Sequence, residues 1–180
     1  AGFPMEKVFF HGNNKSSEEL GMALEYGVGI IVVDNLYELE NLNSLAVQKE
    51  KKVSVLFRLT PGVEAHTHSY TQTGQQDSKF GLGIQDGVAF KVISHALTLP
   101  GIEVKGVHCH IGSQIFDIEP YKMAVKVMFE FLGELKRRTG FEAEILDMGG
   151  GLGIIYHEGD QPATIESCVR LIGDAVKEEA

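Results

Sequence analysis

Short, densely apolar runs alternate with longer stretches whose apolar residues recur every three or four positions, and the alternation continues along the chain. Val8, Phe9 and Phe10 in "EKVFFHG", the run "GIIVVD" ending at Asp34, and "KVSVLFRLTPG", closed by Pro61-Gly62, have the compactness of buried strands. "EVKGVHCHIGS" and "EAEILDMGGGLG" add two more. The pattern predicts parallel strands at about 7–11, 30–34, 53–59, 104–110 and 143–148. The stretches between them read as helices. Ser16 is a cap with Glu19 three residues on, and Gly27 is a stop. Leu36, Leu39, Leu42 and Leu45 mark one face of a second helix over 35–50. Further helices are expected over 86–97, over 119–138 with Val125, Phe129 and Leu132 on one side, and from Thr164 to Ala180. Residues 62–84 break the rhythm. They are polar, rich in hydroxyls and too long for an idle connection, so an ordered functional loop is expected there.

Strands alternating with helices predict an α/β fold, a mostly parallel sheet covered by helices. An open doubly wound sheet gathers its site at one switch point, whereas a barrel spreads it over many strand ends. Here the chemically suggestive residues end different strands: His11-Gly12-Asn13-Asn14, Asp34, Arg58, His110 and Asp147. That favours a barrel. A closed (β/α)8 TIM barrel takes about 250 residues, and five of its eight strands about 156. The expectation is a partial barrel with about five of eight strands. No linker or low-complexity tract divides residues 1–180.

Composition narrows the partners. The 180 residues carry 25 acidic and 16 basic side chains, a formal charge of −9. This disfavours a nucleic-acid partner. The longest basic run, Lys136-Arg137-Arg138, falls where a helix should end, and the helix dipole welcomes cations there. The two cysteines, Cys109 and Cys168, do not resemble a secreted disulfide framework. No run approaches 18 apolar residues and no leader pattern precedes the first strand, so a cytoplasmic protein is the default expectation.

The chemistry centres on "GVHCHIGSQ", residues 106–114. His108 and His110 share one strand face, and Cys109 points the other way as an inert core thiol. Three readings stay open. The histidines could be inward-facing, hydrogen-bonded barrel residues. They could be metal ligands, with His11, Asp34 or Asp147 completing the set, although no familiar ligand pattern links these. They could instead face a cofactor whose phosphate sits nearby. The neighbours favour the third. Gly112-Ser113 offers an amide and a hydroxyl, and Gly149-Gly150-Gly151, with Gly153 behind, offers a backbone nest. The glycine spacing is neither that of a P-loop nor that of a dinucleotide fingerprint.

With those residues in view, the chain resembles the diaminopimelate decarboxylase family, pyridoxal-phosphate enzymes with an alanine-racemase-like barrel. "VFFHGNNKS", "TGQQDSKFGLG", "GVHCHIGSQI" and "LDMGGGLGI" resemble that family's segments in the same order. The resemblance implies decarboxylation of meso-2,6-diaminopimelate to L-lysine, with pyridoxal 5'-phosphate as cofactor, in a homodimer. It implies that His110 stacks on the pyridine ring, that Ser113 and Gly149, Gly150 and Gly151 hold the phosphate, and that Arg58 lies near the cofactor's hydroxyl side. It places His108 as an inward support and Lys79 near a partner subunit. It puts Asn13 and Asn14 on the active-site face. No metal is implied.

The family's Schiff-base lysine, carried in a "YAxKAN"-like stretch, does not occur here, nor does its "EPGR"-like strand. On that basis the chain is expected to be the central part of the barrel domain. The first strands, the last strand and the C-terminal β-domain would lie outside it, and the chain alone would be inactive. The alternatives are a related ornithine or arginine decarboxylase, a metal-dependent amidohydrolase-like barrel, and a noncatalytic pyridoxal-phosphate-binding fragment.

Overall fold

The computed structural model describes residues 2–63 and 80–180. After a 3-10 turn at Met5–Lys7, the chain runs through β1 (Phe9–Phe10), α1 (Ser17–Tyr26), β2 (Ile30–Val33), α2 (Leu36–Gln48) and β3 (Val53–Thr60). It continues with β4 (Leu82–Gly83), α3 (Val88–Ala96), β5 (Ile102–Cys109), α4 (Glu119–Thr139), β6 (Ile145–Asp147) and α5 (Ile165–Glu179). The sheet order is β1-β2-β3-β5-β6, with β4 paired to the end of β3, and each of these pairings is parallel. Helices α1, α2, α3 and α4 follow β1, β2, β4 and β5 and return the chain to the next strand, so the sheet is an arc of a (β/α) barrel.

Local chemistry explains where elements begin and end. The Ser16 side chain accepts from the Glu19 amide while Glu19 accepts from the Ser16 amide, a complete capping box. Gly27 closes α1 at φ 71. At α2 and α5 the Asn35 and Thr164 side chains accept from the Glu38 and Ser167 amides, single caps without the reciprocal bond. The Lys136-Arg137-Arg138 run lies in the last turn of α4, before Gly140. Some expectations shift in detail. The first strand is shorter than 7–11, because the 3-10 turn takes up Met5–Lys7. Helix α2 buries Leu39, Leu42 and Ala46 while Leu36 is exposed, since a spacing of three drifts off a 3.6-residue helix face. On α4, Phe129 and Leu132 are half-buried, and Tyr121, Ala124, Val125, Met128, Phe131 and Leu135 form the buried stripe. The interval 62–84 also contains β4.

The sheet sorts its side chains onto two faces. Ile31, Val33, Val53, Val55, Phe57, Leu59, Ile102, Val104, Val107 and Cys109 join the helices in the main core. Ile30, Val32 and Leu56, with Ile145 against them, form a small cluster on the concave face. In β5 the outward residues are even-numbered up to Val104 and odd-numbered from Val107 onward. A bulge causes the switch. Val55 pairs with Val104, yet the next residue, Leu56, pairs with Gly106. Lys105 is the extra residue, and its ammonium reaches Glu144 at 3.1 Å and Glu103 at 3.2 Å. Gly106 adopts φ 155, and a Cβ there would stand 1.9 Å from the Ile145 carbonyl oxygen. Only glycine fits.

Gly106→Ala is expected to cost about 2–3 kcal/mol, from backbone strain plus displacement of β6. Urea unfolding of the two forms checks it. A midpoint equal to wild type would mean that the bulge tolerates a side chain.

Candidate functional site

Five structural segments deliver the site. His11 follows β1, Arg58 lies near the end of β3, and Phe80 precedes β4. His108 and His110 come from the end of β5, while Asp147 and Gly149-Gly150 come from the end of β6. Together they line a cavity of about 540 Å³ at the C-terminal ends of the strands. This is where a barrel of this kind places its chemistry. The bulge in β5 sets the orientation. Without it, His108 and His110 would share the outward parity of Ile102 and Val104.

Asp34, at the end of β2, is 4% exposed and does not line the cavity. It braces the cavity instead. One carboxylate oxygen stands 3.7 Å from the Arg58 guanidinium, and the other accepts the Gly81 amide at 3.0 Å. The guanidinium lies over the Phe80 ring, 4.7 Å from its centre. Burial draws the Arg58 pKa down and Asp34 opposes that shift. The group stays cationic at neutral pH.

The histidines are held neutral. Burial pushes His108 down from 6.5 to about 4, against an upward pull from Asp147. His11 and His110 are lowered as well, by burial first, with Arg58 adding to the shift and Asp147 opposing it. Cys109 faces the helices and is pushed up to about 12 by burial, as expected of an inert thiol. Both cysteines are free.

The glycine turns divide into two kinds. A Cβ on Gly149 would meet the Cys109 carbonyl oxygen at 2.4 Å, and one on Gly151 the Gly112 carbonyl oxygen at 1.9 Å. Both glycines also have positive φ, so they let the turn pack against the β5 end. Gly150 differs. Nothing stands within 4 Å of its Cβ position, it lines the cavity, and its amide points to His110 Nδ1 at 3.5 Å. Ser113 is exposed beside this turn, and among the described residues its hydroxyl has no partner within the chain. Asn13 and Asn14 are exposed on the turn after β1 and do not line the cavity. Lys79 lies outside the described residues.

Three supports escaped the sequence reading. Lys15 is buried, with its ammonium on Glu38 at 2.8 Å, on the Gly12 carbonyl at 2.5 Å and on the Val32 carbonyl at 2.8 Å. It ties the turn after His11 to the end of β2. Gln114, at φ 59, pairs its side-chain amide with both backbone groups of Ile154, donating at 2.6 Å and accepting at 3.0 Å. The Tyr121 hydroxyl donates to the Gly150 carbonyl at 2.8 Å. With the Ile115–Leu152 bridge, these contacts join the two glycine turns. The available signals were the position of Glu38 three residues after Asn35 and of Gln114 directly after Gly112-Ser113. Each also suits an ordinary surface role.

The family model described as "Pyridoxal-dependent decarboxylase, pyridoxal binding domain" matches residues 1–180. The chain is 50% identical over 179 residues to a diaminopimelate decarboxylase of Bacillus methanolicus, covering 99% of this chain and 41% of that protein. It is 49% identical over 180 residues to the Bacillus subtilis (strain 168) enzyme of the same name, covering 100% and 41%. The chain thus spans about two fifths of the length of these curated relatives. Among solved structures, diaminopimelate decarboxylase from M. jannaschii in co-complex with L-lysine superposes with TM-score 0.88 at 37% identity, covering 97% of this chain and 40% of that one. The Helicobacter pylori enzyme complexed with L-lysine gives TM-score 0.89 at 28% identity, covering 98% and 44%. These likenesses agree with a parallel half-barrel and leave the amidohydrolase-like alternative without support. No helix among the described residues is long and apolar enough to cross a membrane.

A group buried neutral makes stability depend on pH. His108 binds its proton at 6.5 when unfolded and at about 4 when folded, so between those values the unfolded state holds more protons. Its stabilising contribution is present above pH 6.5 and is lost as the pH falls towards 4. The expected loss is roughly 2–3 kcal/mol by the linkage relation. Unfolding curves from pH 7.5 to 4, compared between wild type and His108→Gln, isolate this contribution from that of the carboxylates. Parallel pH profiles in the two proteins would contradict it.

Proposed function

The chain belongs to the pyridoxal-dependent decarboxylase family through its pyridoxal-binding domain, and on that premise we propose that it forms the cofactor-binding half-barrel of an enzyme converting meso-2,6-diaminopimelate into L-lysine and carbon dioxide, as a cytoplasmic homodimer. One observation carries the reading: His110 and the one glycine of the Gly149–Gly151 turn with open space above it line the same cavity. The substrate assignment rests on the names of relatives that are 49% and 50% identical to this chain over a stretch covering 41% of their own length.

Pyridoxal phosphate fits this wall. Gly150 leaves room where a side chain would intrude, and Ser113, on the turn packed against Gly151, presents an unspent hydroxyl. A phosphate dianion needs such backbone and hydroxyl donors. Bound there, the cofactor supplies an electron sink for the pair left behind when carbon dioxide departs.

The chain's own residues bind and orient. Gly150, Gly151 and Ser113 would hold the phosphate, with the Gly149 amide committed to Asp147, while the Tyr121 hydroxyl on the Gly150 carbonyl keeps the turn in register. His110 offers the face of a neutral imidazole, with Nδ1 against the Gly150 amide. Arg58 brings a fixed positive charge, its direction set by Asp34 and Phe80. His108 supports the cavity wall from its buried position. Asn13 and Asn14 border the same end of the barrel, and Lys79 belongs to the segment leading to Phe80. No lysine of this chain is assigned the Schiff-base role, because none stands in the family's motif.

Gly150→Val is expected to weaken pyridoxal-phosphate binding at least about tenfold, or about 1.4 kcal/mol, while leaving the thermal midpoint near wild type because no neighbour is struck. Absorbance titration read beside a melting curve checks both halves, and unchanged affinity would reduce the turn to a structural role. The activity itself is tested by carbon dioxide release and matching lysine formation from meso-diaminopimelate. The product of the full reading frame is expected to turn over, and the 180-residue chain alone is not. Turnover of ornithine or arginine in preference would replace the substrate assignment.

A further inference from the structure

Three donors meet in the cavity in a grouping that the cofactor assignment does not use. His11, His108 and Asp147 each offer one ligand atom, and these atoms all lie within 4.8 Å of one another. The topology makes the grouping. His108 and Asp147 are register partners across β5 and β6, and the His11 ring meets the His108 ring edge-on, with centres 4.7 Å apart. His110 is not part of it, so this is not the His-x-His pair read from the sequence.

A second, independent observation points to a ligand. His108 is 4% exposed, and among the described residues no group in the chain bonds to its Nδ1. A buried ring nitrogen without a partner calls for an explanation such as a missing ion or water. The residue as a whole also lines the open cavity.

We propose that His11, His108 and Asp147 form a binding site for a divalent transition ion of the zinc class, its fourth position open to the cavity. Two imidazoles and one carboxylate suit such an ion, and three protein ligands leave room for a water. Bonds of about 2.0–2.1 Å place tetrahedral donors about 3.4 Å apart, so the set must close somewhat. His11 is exposed and supplies that freedom. Asp147 is already oriented, because one of its oxygens accepts the Gly149 amide at 2.8 Å. The nearby cations are each offset by a carboxylate: Arg58 by Asp34 at 3.7 Å and Lys15 by Glu38 at 2.8 Å. The proposal concerns binding, and no hydrolytic step is attached to it. It goes beyond the decarboxylase reading and does not depend on it.

The test is calorimetric titration of zinc chloride into the chelator-treated, cofactor-free chain. One zinc per chain is expected, with a raised melting temperature. His108→Gln and Asp147→Asn should each bind at least about tenfold more weakly, while His95→Ala and His157→Ala, distant surface histidines, should match wild type. Long-range proton–nitrogen spectra of the wild-type histidine rings serve if a variant fails to fold. Zinc should shift the ring nitrogens of His11 and His108 and leave those of His95 and His157 in place. Absence of zinc binding, wild-type affinity in folded site variants, or shifts confined to His95 or His157 would overturn the site. Pyridoxal-phosphate titration of the same chain reads the decarboxylase assignment separately, so either result can fail alone.

Discussion

The parity of β5 is the constraint on which the site depends. A strand presents alternate residues to opposite faces, so its first buried residues commit all that follow. Ile102 and Val104 commit the even positions to the helices. His108 and His110 would then be driven into an apolar layer, and Val107 and Cys109 into the cavity. One extra residue reverses this. Lys105 takes the bulge, its charge answered by Glu103 and Glu144, and Gly106 passes the Ile145 backbone at a distance no side chain permits. Below the bulge β5 contributes to packing, and above it the strand also contributes chemistry.

The buried charge around the cavity follows a consistent arrangement. Lys15 and Arg58 come from different elements, and each meets a carboxylate supplied by or beside β2 and α2. An unpaired cation here would carry the full cost of leaving water, and pairing with further backbone contacts removes much of it. Burial lowers Arg58, raises Glu38, and lowers the three histidines. The cavity therefore presents neutral nitrogen bases beside a fixed guanidinium. That arrangement suits an anionic ligand with a flat ring, and the bases themselves are suited to accept from a donor or to ligate.

Much of the fold was legible because its signals are local. The Ser16–Glu19 box, Gly27, the helix start at Thr164 and the five apolar runs each act within a few residues. The strand ends that carry His11, Arg58, His110 and Asp147 were legible for the same reason, and the structure gathers them around one cavity. What was not legible is nonlocal. The bulge depends on how β5 meets β3 and β6. Nothing local pairs Lys15, in the turn after β1, with Glu38, in the first turn of α2, and only the fold buries them together. Asp34 was legible as a strand end, but its role as a brace for Arg58 and Gly81 required the third dimension.

Gln114 holds Ile154 through both ends of its amide, and the Ile115–Leu152 bridge lies directly beside that contact. The turn after β5 and the turn after β6 are consequently one mechanical body. Neither turn opens to solvent without breaking the other's bonds, so the two share a single local unfolding event. A ligand that settles on either turn slows the breathing of both, and the cost of ordering that corner of the molecule is met once rather than twice.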